Sequence, residues 1–276
     1  MTGFQRIGVI AKPSDAAVLT TVERLVRYLA ERGLTVIPDA VAAQVSGAEA
    51  VARAELGGQC DLCIVVGGDG TLLDAGRYMA PHDVPIVGVN RGRLGFMVDV
   101  SPDDMSARLD EILDGQGIRE DRLMIEAQPD VQGEPIASFL ALNDVVVRNR
   151  AFNRLLEFDT RINGEFVNRH RADGIVISTP TGSTAYALSS GGPIVHTGID
   201  ALTLVPICPH TLSDRPLVIS ANSELEVVVH GHNTEALVTW DGQVSHPLAG
   251  ESPGTRNSAS TCARGWPTRT ASESAR

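Results

Sequence analysis

The chain has 276 residues, a formal net charge of −11, 43% hydrophobic residues and 21% charged ones. This is long enough for two modest domains or one large one, and the composition is that of a soluble globular protein. The acidic balance, without a local basic stripe, argues against nucleic acid as a partner, and no apolar run nears the roughly 18 residues that suggest a membrane span.

The first part of the chain alternates strand and helix patterns. Its opening residues carry no signal-peptide pattern and run straight into a strand at 7–11, so a cytoplasmic location is the default expectation. Helical periodicity follows over 15–32, carried by Val18, Val22, Leu25, Val26 and Leu29. A strand is predicted at 34–37, then a helix through about Leu56. The apolar run 62–66 reads as a buried strand, Thr71 opens a helix toward Met79, and 85–89 is another strand. Ser101-Pro-Asp-Asp104 resembles a capping box with proline at the first helical position, starting a helix to about Leu113. Strand-helix alternation with short connections predicts a Rossmann-like, doubly wound α/β domain with a mostly parallel sheet over 1–120.

From about Asp121 the texture changes. Short β-rich runs stand at 123–127, 137–140, 144–148, 155–161, 174–178, 202–205, 217–219, 224–230 and 235–240, with a short helix near 185–190. Asn163-Gly164 and Asp241-Gly242 are hairpin-turn signals. A second, β-rich domain is predicted over 121–250. Residues 251–276 contain no Leu, Ile, Val, Phe or Met and one aromatic, Trp266. Such a stretch buries little apolar surface and is expected to be disordered.

Cys60-Gln-Leu-Cys63 has the spacing of a metal or redox pair, but no second pair accompanies it and Cys63 falls within the predicted buried strand. Packing is its expected role. Lys12 is the only lysine, and no Gly-Lys-Ser/Thr phosphate loop exists. If the chain handles a triphosphate, neutralisation is expected from backbone N–H groups, arginines and a metal ion.

Three motifs carry chemistry. Gly67-Gly-Asp-Gly-Thr71 follows the buried strand directly, leaving a loop almost bare of side chains except for Asp69. Such loops let backbone approach a phosphate. A carboxylate there repels phosphate unless it binds a metal or takes a proton. Thr179-Pro-Thr-Gly-Ser-Thr-Ala-Tyr186, followed by Ser189-Ser-Gly-Gly192, crowds hydroxyls and glycines suited to ribose, phosphate or an adenine edge. Thr184 and Ala185 are expected to open a helix there. Asn143-Asp144 is a polar pair entering a buried strand, placed to hydrogen-bond adenine or ribose.

Together with Asn90-Arg-Gly-Arg-Leu-Gly-Phe96, Arg171-Ala-Asp-Gly174, Pro209-His-Thr-Leu-Ser213 and Asp241-Gly-Gln243, these motifs resemble the NAD kinase family over about 7–243. Gly-Gly-Asp-Gly-Thr alone also resembles lipid kinases and phosphofructokinases. The resemblance implies an α/β domain followed by a β-sandwich-like one. It implies phosphorylation of the 2′-hydroxyl of the adenosine ribose of NAD, with ATP as donor and a divalent ion, Mg²⁺, as cofactor. Homodimers or homotetramers are the implied assembly.

By the same matching, Asp69 is the proton acceptor and Gly70 lets the phosphates approach. Asn143 and Asp144 hold the adenine-ribose end. Arg154, Arg171, Asp173 and Gln243 contact the dinucleotide, and Thr184, Ala185, Tyr186, Ala187, Leu188 and Ser189 form one wall. Relatives with arginine at the position of Arg171 resemble enzymes strict for NAD over NADH and for ATP over polyphosphate. The family pattern fails at about Gly250, where the composition is that of a reading-frame shift in a GC-rich gene. The alternative readings are an NAD-binding remnant impaired by that tail, and a related kinase acting on another hydroxyl.

Overall fold

The computed structural model describes residues 3–13, 16–90, 97, 100–131, 134–150, 155–211, 214–230, 236–248 and 259–270. The chain divides into two compact units, Met1–Asp121 with Thr268–Arg276, and Arg122–Pro267.

The first part runs through β1 (Arg6–Ala11), α1 (Ala16–Glu31), β2 (Thr35–Pro38), α2 (Ala43–Ser46), α3 (Arg53–Leu56), β3 (Leu62–Gly67), α4 (Asp69–Met79), a 3-10 turn (Ala80–His82), β4 (Ile86–Asn90) and α5 (Met105–Leu113). Its strands pair in parallel in the order β2-β1-β3-β4. Every residue of β3 is buried, as in a central parallel strand covered on both faces. Helix α1 buries Val18, Thr21, Val22, Leu25 and Leu29, a stripe of three- and four-residue spacing. Each large aliphatic side chain so buried contributes roughly 1.5–3 kcal/mol. Met105, Leu109 and Ile112 of α5 join the same core.

Three local expectations change. The helix predicted through Leu56 is two short helices, because Gly47 turns left-handed (φ 71°) and ends α2. The capping box does not form. Helix α5 begins at Met105, and the Ser101 hydroxyl accepts the Asp103 N–H at 3.2 Å in a turn of its own. Helix α4 starts at Asp69, two residues before Thr71.

The second part contains β5 (Glu120–Val131), β6 (Glu134–Pro135), β7 (Phe139–Ala141), β8 (Asp144–Asn149), β9 (Leu156–Ile162), β10 (Glu165–Ala172), β11 (Gly174–Ser178), a 3-10 turn (Thr181–Thr184), α6 (Tyr186–Ser189), β12 (Ala201–Ile207), β13 (Leu217–Ser220), β14 (Leu225–His230), β15 (Ala236–Trp240), β16 (Val244–Pro247) and β17 (Ala259–Thr270). One sheet has the order β10-β9-β14-β17-β5-β6, with β7 also on β5; the other has the order β13-β12-β11-β8-β15-β16. Ile125, Phe158 and Val227 from the first sheet share one core with Val145, Ile177 and Trp240 from the second, which makes a β-sandwich. On the second sheet's other face, Val146, Val176 and Val205 pack with Ala187 of α6. Both predicted hairpin turns form, with φ of 52° and 82° at Asn163-Gly164 and of 51° and 66° at Asp241-Gly242.

Within 251–276, the stretch expected to be disordered, the described residues are 259–270. That segment is β17, antiparallel to β14 from Leu225↔Ala263 to Val229↔Ala259. A ladder is made by main-chain groups, so a stretch poor in apolar residues can complete one where a neighbouring strand offers unpaired N–H and C=O groups. The remainder of 251–276 lies outside the described residues.

Candidate active site

In the first unit the chain leaves β1 toward β2 on one side and β3 toward β4 on the other. The carboxyl ends of β1 and β3 therefore flank a topological switch point, where open α/β sheets bind ligands. Lys12 follows β1, and its N–H donates to the Val66 carbonyl at 2.9 Å. Gly68, Asp69 and Gly70 follow β3. Gly68 caps α4 in extended geometry, and its carbonyl accepts the N–H groups of Thr71 (2.9 Å) and Leu72 (3.2 Å). Asp69 is half-buried in the first turn of α4 and Gly70 is exposed. A helix N-terminus favours a nearby anion, whether a carboxylate or a phosphate.

The glycines of this loop differ in purpose. A Cβ on Gly67 would stand 2.5 Å from the Thr71 hydroxyl and 3.3 Å from Lys12 Cβ. Gly67 therefore serves close packing. A Cβ on Gly68 would meet nothing within 4 Å, so the space beside it is open to a ligand.

A brace unmarked by any sequence motif holds this edge. The Asp39 carboxylate accepts the N–H groups of Val41 (3.1 Å) and Ala42 (2.8 Å) and pairs with Arg53 at 2.6 Å. Arg53 also donates to the Ala11 carbonyl at 2.9 Å and pairs with Asp74, which pairs in turn with Arg77 at 2.9 Å. The ends of β1 and β2 are thus tied to α3 and α4. Cys60 and Cys63 are buried here, and burial pushes the Cys60 thiol up to about 11 and raises the Cys63 thiol well above its ordinary value. Both remain protonated packing residues.

In the second unit, three sequence motifs meet. The Asp241 carboxylate accepts the N–H groups of Leu142 (3.2 Å), Asn143 (2.7 Å) and Asp144 (3.3 Å). The Asn143 carbonyl accepts the Thr179 N–H at 2.9 Å, and the Leu142 carbonyl accepts the Thr179 hydroxyl at 2.6 Å. Gly182 crosses so close that a Cβ would lie 2.1 Å from the Asn143 carbonyl oxygen. The Asp144 carboxyl is buried, and burial, with the nearby Asp241 charge, pushes it up to about 7.

The Ser/Thr-rich stretch is less available than its composition suggests. The hydroxyls of Ser178, Thr179, Ser183 and Thr184 all donate to main-chain carbonyls. Ser183 also accepts the Val195 N–H at 3.0 Å. Ala185 caps α6, its carbonyl accepting the Ser189 N–H at 3.4 Å, whereas Thr184 lies before the helix. Thr184 closes the 3-10 turn, and Ala185 (ψ −127°) breaks the chain direction before α6. On α6, Ala187 is buried, while Tyr186, Leu188 and Ser189 are exposed. The short helix thus leaves a ring, an apolar side chain and a hydroxyl exposed.

Arg171 and Asp173, both exposed, stand at the other end of β11. Gly174 pairs with Arg148, whereas Ser178 pairs with Asp144. The intervening strand spans roughly 13 Å at about 3.3 Å per residue. The fold thus places Arg171 and Asp173 apart from Asn143, Asp144 and the α6 wall. Gln243 is exposed on the turn after Asp241, its N–H on the Trp240 carbonyl at 2.9 Å. Arg154 and residues 91–96 lie outside the described residues.

The chain matches the family model of the ATP-NAD kinase N-terminal domain over residues 7–117 and that of the ATP-NAD kinase C-terminal domain over 142–252. It is 47% identical over 247 residues to the NAD kinase of Ectopseudomonas mendocina, covering 88% of this chain and 84% of that protein. It is 45% identical over 247 residues to the NAD kinase of Hahella chejuensis, covering 88% and 83%. Among solved structures, the NAD kinase from Archaeoglobus fulgidus in complex with ATP superposes with a TM-score of 0.74 at 26% identity, over 98% of this chain and 94% of that one. Yeast NADH kinase complexed with NADH shares the fold, with a TM-score of 0.87 at 22% identity over 99% and 85% of the two chains. The chain belongs to the NAD kinase family.

Proposed function

We infer that this protein is an ATP-dependent kinase that phosphorylates the 2′-hydroxyl of the adenosine ribose of NAD, giving NADP. The observation that carries the reading is the Gly67–Thr71 loop at the β1/β3 switch point of a chain that matches both NAD kinase domain models in order. In the reaction the ribose oxygen bonds to the γ-phosphorus, the bond from that phosphorus to the bridging oxygen breaks, and ADP leaves with the electron pair. Asp69 takes the hydroxyl proton, a role worth about 10²–10⁴ in rate. Gly68 and Gly70 leave the backbone accessible to the phosphates. Asn143, Asp144 and Gln243, with the Thr184–Ser189 wall, hold the adenosine end, and Arg171 and Asp173 engage a more distant part of the dinucleotide. Arg154 completes this set.

Among the described residues no group of three or more His, Cys, Asp or Glu could hold a metal ion. A magnesium ion carried by the ATP phosphates fits that composition, since Mg²⁺ is commonly bound by one or two carboxylates plus phosphate oxygens. Asp69 is the carboxylate beside them, and the ion would offset its repulsion of phosphate. No helix among the described residues is long and apolar enough to cross a membrane, and the cytoplasmic site expected from the sequence suits a kinase of NAD. A homodimer or homotetramer is the expected assembly, to be measured by sedimentation.

The decisive assay is NADP formation from NAD or NADH, each with ATP or polyphosphate. NAD with ATP and Mg²⁺ is expected to give NADP, and Asp69→Asn to lose at least about 10²-fold in kcat while keeping its melting transition. A folded wild-type protein that forms no NADP would end this reading.

A further inference from the structure

We propose that Lys12 binds the triphosphate of ATP, its ammonium group reaching the phosphates from the end of β1 while the backbone of the Gly68–Gly70 turn receives them from the end of β3. The proposal rests on the NAD kinase reading.

Two observations lead to it. The first is position. Lys12 is the first residue beyond β1, hydrogen-bonded through its backbone to Val66 and packed by its Cβ against Gly67. Its side chain is exposed and stands beside Gly67, at the start of the turn that leads into α4. The second is charge. The arginines that reach this edge among the described residues are Arg53 and Arg77, and both are engaged by Asp39 and Asp74. Lys12 has no ion pair among the described residues, which leaves its charge available to a ligand.

The chemistry matches. A phosphate-loop kinase carries its lysine inside the loop that cradles the phosphates. Here that loop has none and holds a carboxylate instead, so a lysine that serves the phosphates has to stand on a neighbouring element. A lysine ammonium is a compact charge on a flexible stem, able to follow a phosphate without fixed fork geometry. Lys12 would add to the backbone N–H groups, arginines and metal ion expected to neutralise the triphosphate.

That singularity makes the test clean. Lys12→Met in the full chain is expected to raise the KM for ATP about tenfold or more while the KM for NAD stays within about twofold, and Lys12→Arg to restore most of the loss. In the wild type, the 2′,3′-dialdehyde of ATP, fixed by borohydride, can modify only Lys12 and the α-amino group. Mass spectrometry is expected to find it on Lys12, with ATP protecting. An active Lys12→Met with a KM for ATP within about threefold of wild type overturns the proposal. If that variant does not fold, label found only on the α-amino group overturns it instead. A wild type that makes no NADP overturns the underlying reading rather than this one.

Discussion

Asp144 and Asp241 clasp each other through the main chain. The Asp241 N–H donates to the Asp144 carbonyl at 2.9 Å, and the Asp144 N–H returns to the Asp241 carboxylate at 3.3 Å. The same carboxylate holds the Asn143 N–H at 2.7 Å, so one aspartate in a hairpin turn fixes the backbone of Asn143 and Asp144.

Asp241→Ala removes the acceptor from three N–H groups. Each orphaned donor costs on the order of 1–3 kcal/mol, less where water can replace the bond, so a loss of roughly 2–4 kcal/mol is expected by denaturant unfolding. The KM for NAD should rise well above that for ATP. Equal changes in both would show that Asp241 acts on the fold at large and not on Asn143 and Asp144.

Asp144 makes stability depend on pH in an unusual direction. Its carboxyl is pushed from 3.8 to about 7 by burial and then by Asp241, so folding favours the protonated form. The associated stabilisation is fully present below about pH 4 and fades as pH rises through about 7. Asp144→Asn keeps a neutral group at every pH. It should flatten this part of the melting profile and be more stable than the parent at pH 8, on the order of 3 kcal/mol. Parallel profiles for the two proteins would contradict the assignment.

Three glycines should separate packing from ligand access. Gly68→Ala meets nothing in the fold, so its melting temperature should stay within about 2 °C while kcat/KM for ATP falls about tenfold or more. Gly67→Ala drives a methyl into Thr71, and Gly182→Ala drives one into the Asn143 carbonyl. Both should destabilise by about 1–3 kcal/mol, and Gly182→Ala should weaken NAD more than ATP. A Gly68→Ala protein as active as wild type would place the phosphates elsewhere.

The sequence makes the alternation of the first domain legible because its strands are buried on both faces and its helices carry a periodic stripe. It makes the Asp-Gly and Asn-Gly turns legible because those dipeptides suit positive φ. Strand β10 escapes because Glu165–Ala172 is an edge strand whose residues are mostly exposed, with only His170 and Ala172 buried and no clean apolar alternation. The hydroxyls of Thr179, Ser183 and Thr184 read as ligand donors until their carbonyl partners are seen. The Asp39–Arg53–Asp74 brace joins residues far apart in the chain, and no spacing announces it. Likewise nothing local separates Gly67, which admits Thr71, from Gly68, which faces open space.

Strand β17 stands between β14 and β5 in its sheet. Take it out, and one continuous sheet becomes two fragments, each with a raw edge asking for a partner. A ladder asks for main chain and is nearly indifferent to the letters it carries. A chain cut after Leu248 would therefore behave as a receptor for a strand, open to its own severed tail, a synthetic peptide or the tail of a neighbouring molecule. The last segment of this protein is, in that sense, a replaceable part.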